Sequence, residues 1–271
     1  MATDMKETSQ YPVSWLDCRY PFDAKGRNKG LEKLLLNKIE GKKKLGILDL
    51  GAGNGANYKY YSSRIKADQQ WTCMEIEPLL VAELEKAGKG DIRVLQAPVE
   101  EMEQHVDLSE IDLVLANALF DLFSEDQFLS AIAPIVNRGI SFLFTMNYTG
   151  MQFFPFNPHD SRVTSWYHAH MQRKQSFGIA MGAEGADKMK EMLGKMGIEG
   201  VKSGESIWHV NPSDKQMLSY LTSFIMKAVP ELELSLQDLN RLKEWGEIRL
   251  AQIENQEFSM EVYHEDILWS V

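Results

Sequence analysis

Apolar residues in this chain follow two rhythms. Short unbroken runs suit strands buried on both faces, and longer stretches with apolar residues every three or four positions suit helices lying on them. The runs predict strands at Leu45–Leu50, Trp71–Ile76, Ile92–Gln96, Ile111–Ala116 and Ile140–Met146, then Val201–Trp208 and an alternating Ser259–Trp269. The helical stretches fall at about Asn28–Ile39 (Leu31, Leu34, Leu35 and Ile39 on the buried stripe), Asn57–Ile65, Pro78–Lys86, Ser124–Val136 and Glu184–Met196. Two more, about Lys215–Val229 and Ser235–Asn255, are split by Pro230 and precede the last strand. Strands that alternate with helices predict an α/β fold around one sheet. The alternation is interrupted twice, by 148–183 after the fifth strand and by 213–256 before the last.

Upstream of the first strand, Trp15, Arg19, Asp23 and Arg27 recur every four residues and would share one helix face, with Pro21 expected to start a new segment or kink it. Residues 1–13 carry little pattern and are expected to be a loose tail, and 1–40 as a whole an N-terminal helical segment of a single domain, 1–271.

At the end of the first strand the chain reads Asp49-Leu50-Gly51-Ala52-Gly53-Asn54-Gly55. Three glycines in five residues suit a sharp turn against which a ligand lies, since side chains there would block the backbone. The spacing is not the Gly-x-Gly-x-x-Gly of a pyrophosphate turn, and no Gly-Lys-Ser/Thr follows. Asp49 would repel a pyrophosphate but suits a cationic or hydroxyl-bearing ligand.

This motif resembles the first motif of class I S-adenosylmethionine-dependent methyltransferases, and Glu75, ending the second strand, stands where that family has the acid that binds the cofactor's ribose hydroxyls. The resemblance implies a Rossmann-like seven-stranded methyltransferase sandwich with an N-terminal helical segment and a lid insertion at 148–183. It also implies S-adenosyl-L-methionine as cofactor, with Asp49, Gly51, Gly53, Gly55 and Glu75 around it. Where the family has an aspartate for the adenine amino group this sequence has Pro98, leaving the backbone amide of Val99 and Glu100. Asn117 and Asp121, after the fourth strand, would stand beside the sulfonium. The opening Trp15-Leu-x-x-Arg19-x-Pro21-x-Asp23-Ala-x-x-Arg27 is similar to a group of bacterial methyltransferases of unassigned substrate. Arg19 is then a candidate for the methionyl carboxylate, or else pairs with Asp23 along its helix. For the proton that methyl transfer releases, the candidates are His159, His168 and His170 of the insert and Asp121.

A net charge of −10, with no basic cluster beyond Lys42-Lys43-Lys44, points away from nucleic acid and towards a small-molecule substrate. No apolar run is long enough for a membrane span, the start lacks an export signal, and Cys18 and Cys73 lack metal-ligand spacing; a cytoplasmic protein with reduced thiols and no metal is expected. A non-catalytic S-adenosylmethionine-binding protein of the same fold is the alternative reading.

Overall fold

The structure, a computed structural model, describes residues 12–88, 90–175 and 178–271. Most of the expected N-terminal tail, residues 1–11, lies outside them.

Helices α1 (Val13–Gly26) and α2 (Lys29–Ile39) lead into β1 (Lys44–Leu50), α3 (Ala56–Tyr61), β2 (Asp68–Glu75), α4 (Pro78–Gly88), β3 (Ile92–Gln96), the short α5 (Met102–His105), β4 (Leu113–Asn117), α6 (Glu125–Asn137) and β5 (Ser141–Phe154). The insert supplies α7 (Asp160–Met171) and a small hairpin of β6 (Lys174–Gln175) and β7 (Gly178–Ile179). Then come α8 (Gly185–Lys195), β8 (Lys202–Val210), α9 (Lys215–Ala228), α10 (Leu236–Glu254) and β9 (Ser259–Trp269). The seven-stranded sheet has the order β3-β2-β1-β4-β5-β9-β8. Pairing is parallel from β3 to β5 and antiparallel at β5–β9 and β9–β8. This is the α/β, Rossmann-like methyltransferase sandwich that the sequence predicts.

Alternation along each buried strand divides the core. Leu48, Leu50, Val114, Phe142 and Phe144 meet Phe128 and Ile132 of α6 and Met189 and Leu193 of α8. The other face, through Leu45, Ile47, Cys73, Leu115 and Leu143, meets Leu31 and Leu35 of α2 and Tyr60 and Tyr61 of α3. Local signals set the helix starts: the Asn28 side chain accepts from Leu31 N–H, and Ser124 and Gln127 close a capping box. Asp266 pins α2 to the sheet, accepting from Asn28 N–H at 2.9 Å and from Met146 N–H at 2.8 Å.

Three expectations are corrected. Pro21 neither ends nor restarts a helix: α1 runs through it, forgoing one backbone bond in the middle of the helix. Leu34 is 41% exposed, one position off the stripe of Leu31, Leu35 and Ile39. The fifth strand does not stop at Met146. Positive φ at Met146 and two register shifts bend β5, and it then pairs with β9 as far as Phe154↔Ser259. Residues 148–154 of the expected insertion are therefore sheet. Strand β2 starts three residues earlier than expected, β4 two residues later, and α3 ends four residues sooner.

A buried ion pair holds the base of the insert. Asp160 Oδ1 accepts from Arg249 Nη2 at 2.6 Å and from Trp245 Nε1 at 2.8 Å, and its Oδ2 accepts from Asn157 N–H at 2.7 Å. Arg249 is wholly buried, so removing its counter-charge strands a cation in an apolar setting. Asp160→Ala is expected to cost about 3–5 kcal/mol in urea denaturation, and a loss below about 1 kcal/mol would show that the pair does not hold the insert.

Candidate active site

Strand parity decides which polar side chains meet. On the face shared with Ile47, Cys73, Leu115 and Leu143, the next inward positions are Asp49, Glu75, Asn117 and Thr145. The parallel register sets these strand ends side by side, with Leu50 opposite Met74 and Ala116, and Asn117 opposite Thr145. Beyond β1 the chain turns through Gly51, Gly53 and Gly55 with φ of +58°, +58° and +87°, conformations that disfavour any side chain. The turn is closed by Gly55 N–H to Ala52 O at 2.9 Å and tied to β2 by Ala52 N–H to Met74 O at 2.9 Å.

Glu75 clasps that turn. Its Oε2 accepts from Gly53 N–H at 2.8 Å, and its Oε1 accepts from Ile76 N–H at 2.8 Å and Glu77 N–H at 3.0 Å. Asp49 has no exposure; its Oδ1 accepts from Asn57 Nδ2 at 2.7 Å, and its Oδ2 has no partner among the described residues. Burial pushes its carboxyl up to about 7 and Glu75 adds to this, against the Asn57 hydrogen bond and the Arg27 charge.

Helix α1 lies across the turn. Asp17 Oδ1 accepts from Asn54 Nδ2 at 2.7 Å, and a Cβ placed on Gly53 would meet only Leu16 Cδ1, at 3.5 Å. Gly51 is close to Leu119, and Ala118 beside it has φ of +51°, a strained conformation for alanine. The stripe of Trp15, Arg19, Asp23 and Arg27 faces the sheet edge. Arg19 pairs with Asp23 through Nε and Nη2, both at 3.1 Å, which is the helix pairing rather than a free guanidinium. Asn117 joins them, its Nδ2 donating to Asp23 Oδ2 at 2.9 Å and its Oδ1 accepting from Thr145 Oγ1 at 2.8 Å.

Past Asn117 opens a second group. Asp121 is buried, with Oδ1 unpartnered among the described residues. Burial pushes its carboxyl up to about 6, restrained by the Arg19 charge and by backbone N–H groups of Asp121, Tyr148 and Leu122. The Tyr148 hydroxyl and His168 Nε2 are 3.0 Å apart. Burial holds His168 below its ordinary pKa and Tyr148 well above its own. The His264 ring of β9 lies 4.5 Å from that of Trp208 and tilted to it by 54°, with Nδ1 on the Ser206 carbonyl at 3.3 Å, and burial lowers it to about 3, so it is neutral at any working pH.

The structure brings Asp49, Gly51, Gly53, Gly55, Glu75, Asn117 and Asp121 to one edge, with Arg19 above it. Val99 opens a short 3-10 turn (Val99–Glu101) with its side chain in the core, and Glu100 accepts from Gln127 Nε2 at 2.7 Å. Two of the histidines are elsewhere. His170 faces Glu231 Oε2 at 3.2 Å, where Arg173 also pairs, making a surface latch between α7 and the end of α9. His159 precedes α7 at the Asp160 anchor, nine residues and about 13 Å of helix rise from His168. Arg27, Tyr148 and His264 carry no role in the sequence reading. Their signals were the i, i+4 stripe for Arg27 and, for His264, its place two residues before Asp266 on the inward parity of β9.

Residues 47–139, from β1 to the turn after α6, match the family model of a methyltransferase domain. Comparison with proteins of curated function gives no match. Among solved structures, phosphoethanolamine N-methyltransferase 2 of Haemonchus contortus, in complex with S-adenosyl-L-methionine, is 13% identical with a TM-score of 0.50. The match covers 97% of this chain, which spans 58% of that protein. The YcgJ protein of Bacillus subtilis is 12% identical (TM-score 0.48; 89% of this chain, 97% of that one). A methyltransferase of Thiobacillus denitrificans in complex with S-adenosyl-L-homocysteine is 13% identical (TM-score 0.45; 96% and 99%). At these identities the likeness is one of fold.

Asp49 yields a signed test. Its folded carboxyl holds a proton that the unfolded chain, titrating near 3.8, has already lost, so its contribution favours the fold below about pH 4 and is lost as pH rises through 7. Asp49→Asn, which keeps an acceptor for Asn57, is expected to be more stable than the parent at pH 8 and to gain nothing at pH 4. Equal stability differences at both pH values in chemical denaturation would contradict the buried, proton-holding Asp49.

Proposed function

We propose that this protein is an S-adenosylmethionine-dependent methyltransferase acting on a small molecule. The observation that carries the reading is the edge itself: a glycine turn clasped by Glu75, beside a buried carboxylate with one unpartnered oxygen, opening towards a second buried carboxylate. The residues suit the cofactor on three counts. Gly53 has room in front of its Cα, Asp49 Oδ2 is a bare acceptor for a cationic group, and Glu75 is an anion fixed at a strand end.

When bound, S-adenosylmethionine supplies an electrophilic methyl group on a sulfonium sulfur. Gly51, Gly53, Gly55 and Glu75 would hold its sugar side, Asp49 the cationic end, and the Val99 backbone the base, with Asn117 closing the floor. Of the proton acceptors, Asp121 is favoured over His159 and His170, because it is buried within reach of the Arg19 charge, with one oxygen unpartnered among the described residues, and is ionised at neutral pH. Tyr148 and His168 provide a hydroxyl and an imidazole next to it, leading to the half-buried face of α7. The net charge of −10 supports a small molecule over a nucleic acid, whose phosphates demand clustered cations.

Purified protein incubated with labelled S-adenosylmethionine and a panel of small metabolites is expected to form S-adenosylhomocysteine with one of them. Asp121→Asn should then reduce turnover by about a hundredfold or more while S-adenosylhomocysteine affinity by calorimetry stays the same. Binding without transfer across the panel, with Asp121→Asn changing nothing, would favour a non-catalytic binding protein.

Glu75 is tested separately. Each charge-assisted bond is worth about 1.5–3 kcal/mol, so losing the ribose contacts in Glu75→Ala should weaken S-adenosylhomocysteine binding by about a hundredfold or more. Glu77→Ala should cost far less. A larger loss for Glu77→Ala would move the ribose contact to that residue.

A further inference from the structure

Arg27 is 2% exposed, and among the described residues no carboxylate makes an ion pair with it. It sits over the rings of Tyr60 and Tyr61, 4.6 Å and 5.2 Å from their centroids, and donates only to neutral oxygens. Nη2 reaches Asn57 Oδ1 at 2.8 Å and Asn117 Oδ1 at 3.4 Å, and Nη1 reaches Thr145 Oγ1 at 3.3 Å. Burial disfavours this cation while Tyr61, Asp23 and Asp266 favour it through space, so the hydrogen bonds it makes to neutral oxygens are free to serve a separate task.

That task follows from hydrogen-bond polarity. A guanidinium only donates, so each amide facing it must present its oxygen, and the amide nitrogen then points the other way. For Asn57, this aims Nδ2 at Asp49 Oδ1, at 2.7 Å. For Asn117, it aims Nδ2 at Asp23 Oδ2, at 2.9 Å. The result is one polarised chain running Arg19, Asp23, Asn117, Arg27, Asn57 and Asp49, from helix α1 to the end of β1. With Oδ1 of Asp49 taken by Asn57, Oδ2 is left bare. A flipped Asn57 would turn its oxygen on the carboxylate and repel it.

We propose that Arg27 is a positioning residue: by locking the Asn57 amide it fixes which oxygen of Asp49 is offered to the cationic, amino-acid end of the cofactor, making α1 part of the cofactor site. This rests on the methyltransferase reading above. Its consequence is selective, because the adenosine end of the ligand is met by residues outside the chain.

The test compares two ligands by calorimetry, S-adenosylhomocysteine, which carries the amino-acid end, and 5′-methylthioadenosine, which shares the nucleoside and thioether but lacks it. Wild-type protein that binds neither removes the methyltransferase reading itself, before any variant is made. If both bind, Arg27→Gln should weaken S-adenosylhomocysteine at least about tenfold, about 1.4 kcal/mol, and leave methylthioadenosine within twofold (roughly RT ln 2). The pH profile is a second readout. The groups facing Asp49 are Arg27 from α1, Glu75 and Cys73 from β2, and the neutral Asn57 from α3. In the wild type, S-adenosylhomocysteine affinity should rise through about pH 7 as Asp49 ionises. In Arg27→Gln the rise should move to higher pH, because the cation is gone and Glu75 remains. Equal losses on both ligands, no loss, or an unmoved profile would overturn the proposal. If Arg27→Gln does not fold, Asn57→Ala decides by the same ligand comparison: selective loss of S-adenosylhomocysteine supports the chain, and any other result overturns it.

Discussion

Parallel pairing of β1 with β2 on one side and β4 on the other is the constraint on which the site depends. Parallel strands end at the same edge, and in a doubly wound sheet ligands gather in the crevice at that edge. Here the pairings of Asp49 with Cys73 and with Leu115 set the last inward position of β1 one step before those of β2 and β4, on the same face of the sheet. A slip of one residue in any of them would exchange its polar residue for an apolar one. Asp49, Glu75 and Asn117 thus owe their company to backbone register, and the glycine turn inherits its place from β1.

The antiparallel half of the sheet contributes differently. Strand β9 runs against β5, so its inward residues arrive at the same edge from the other direction, bringing His264 and Asp266 beside Tyr148 and Met146. Asp266 has no free oxygen: one holds Met146 and the other holds the start of α2. His264 is held as a neutral ring by burial, against a backbone carbonyl and the neighbouring indole. These two harden the back of the site, while Asp49 and Asp121 keep oxygens at its front that are unpartnered among the described residues.

Much of this was legible in the sequence for identifiable physical reasons. Strands buried on both faces announce themselves as unbroken apolar runs, and the glycines mark a turn that few other residues could make. The alternating β9 was read to its true ends, because a half-buried antiparallel strand has an unmistakable period of two. What escaped was conformation set at a distance. The bend at Met146 depends on Asp266, more than a hundred residues later, so nothing local told that β5 would continue into the insert. His170 was a proton-acceptor candidate from its place in the insert, yet Glu231 beyond α9 claims it. Arg27 was visible only as one member of a helix stripe, and its burial is a tertiary fact.

The family match begins at residue 47, whereas the polar contacts that face the glycine turn begin at Asp17, on the first helix of the chain. The segment matched by the family model and the segment that builds this edge therefore have different borders. Cutting the chain at the border recognised by homology would remove the donors that orient Asn57 and Asn117 and leave Asp49 without its electrostatic counterweight. In this protein the leading helix is a constituent of the edge that carries the glycine turn, tied to it by Asp17 and Asp23, and it belongs with the sheet it covers.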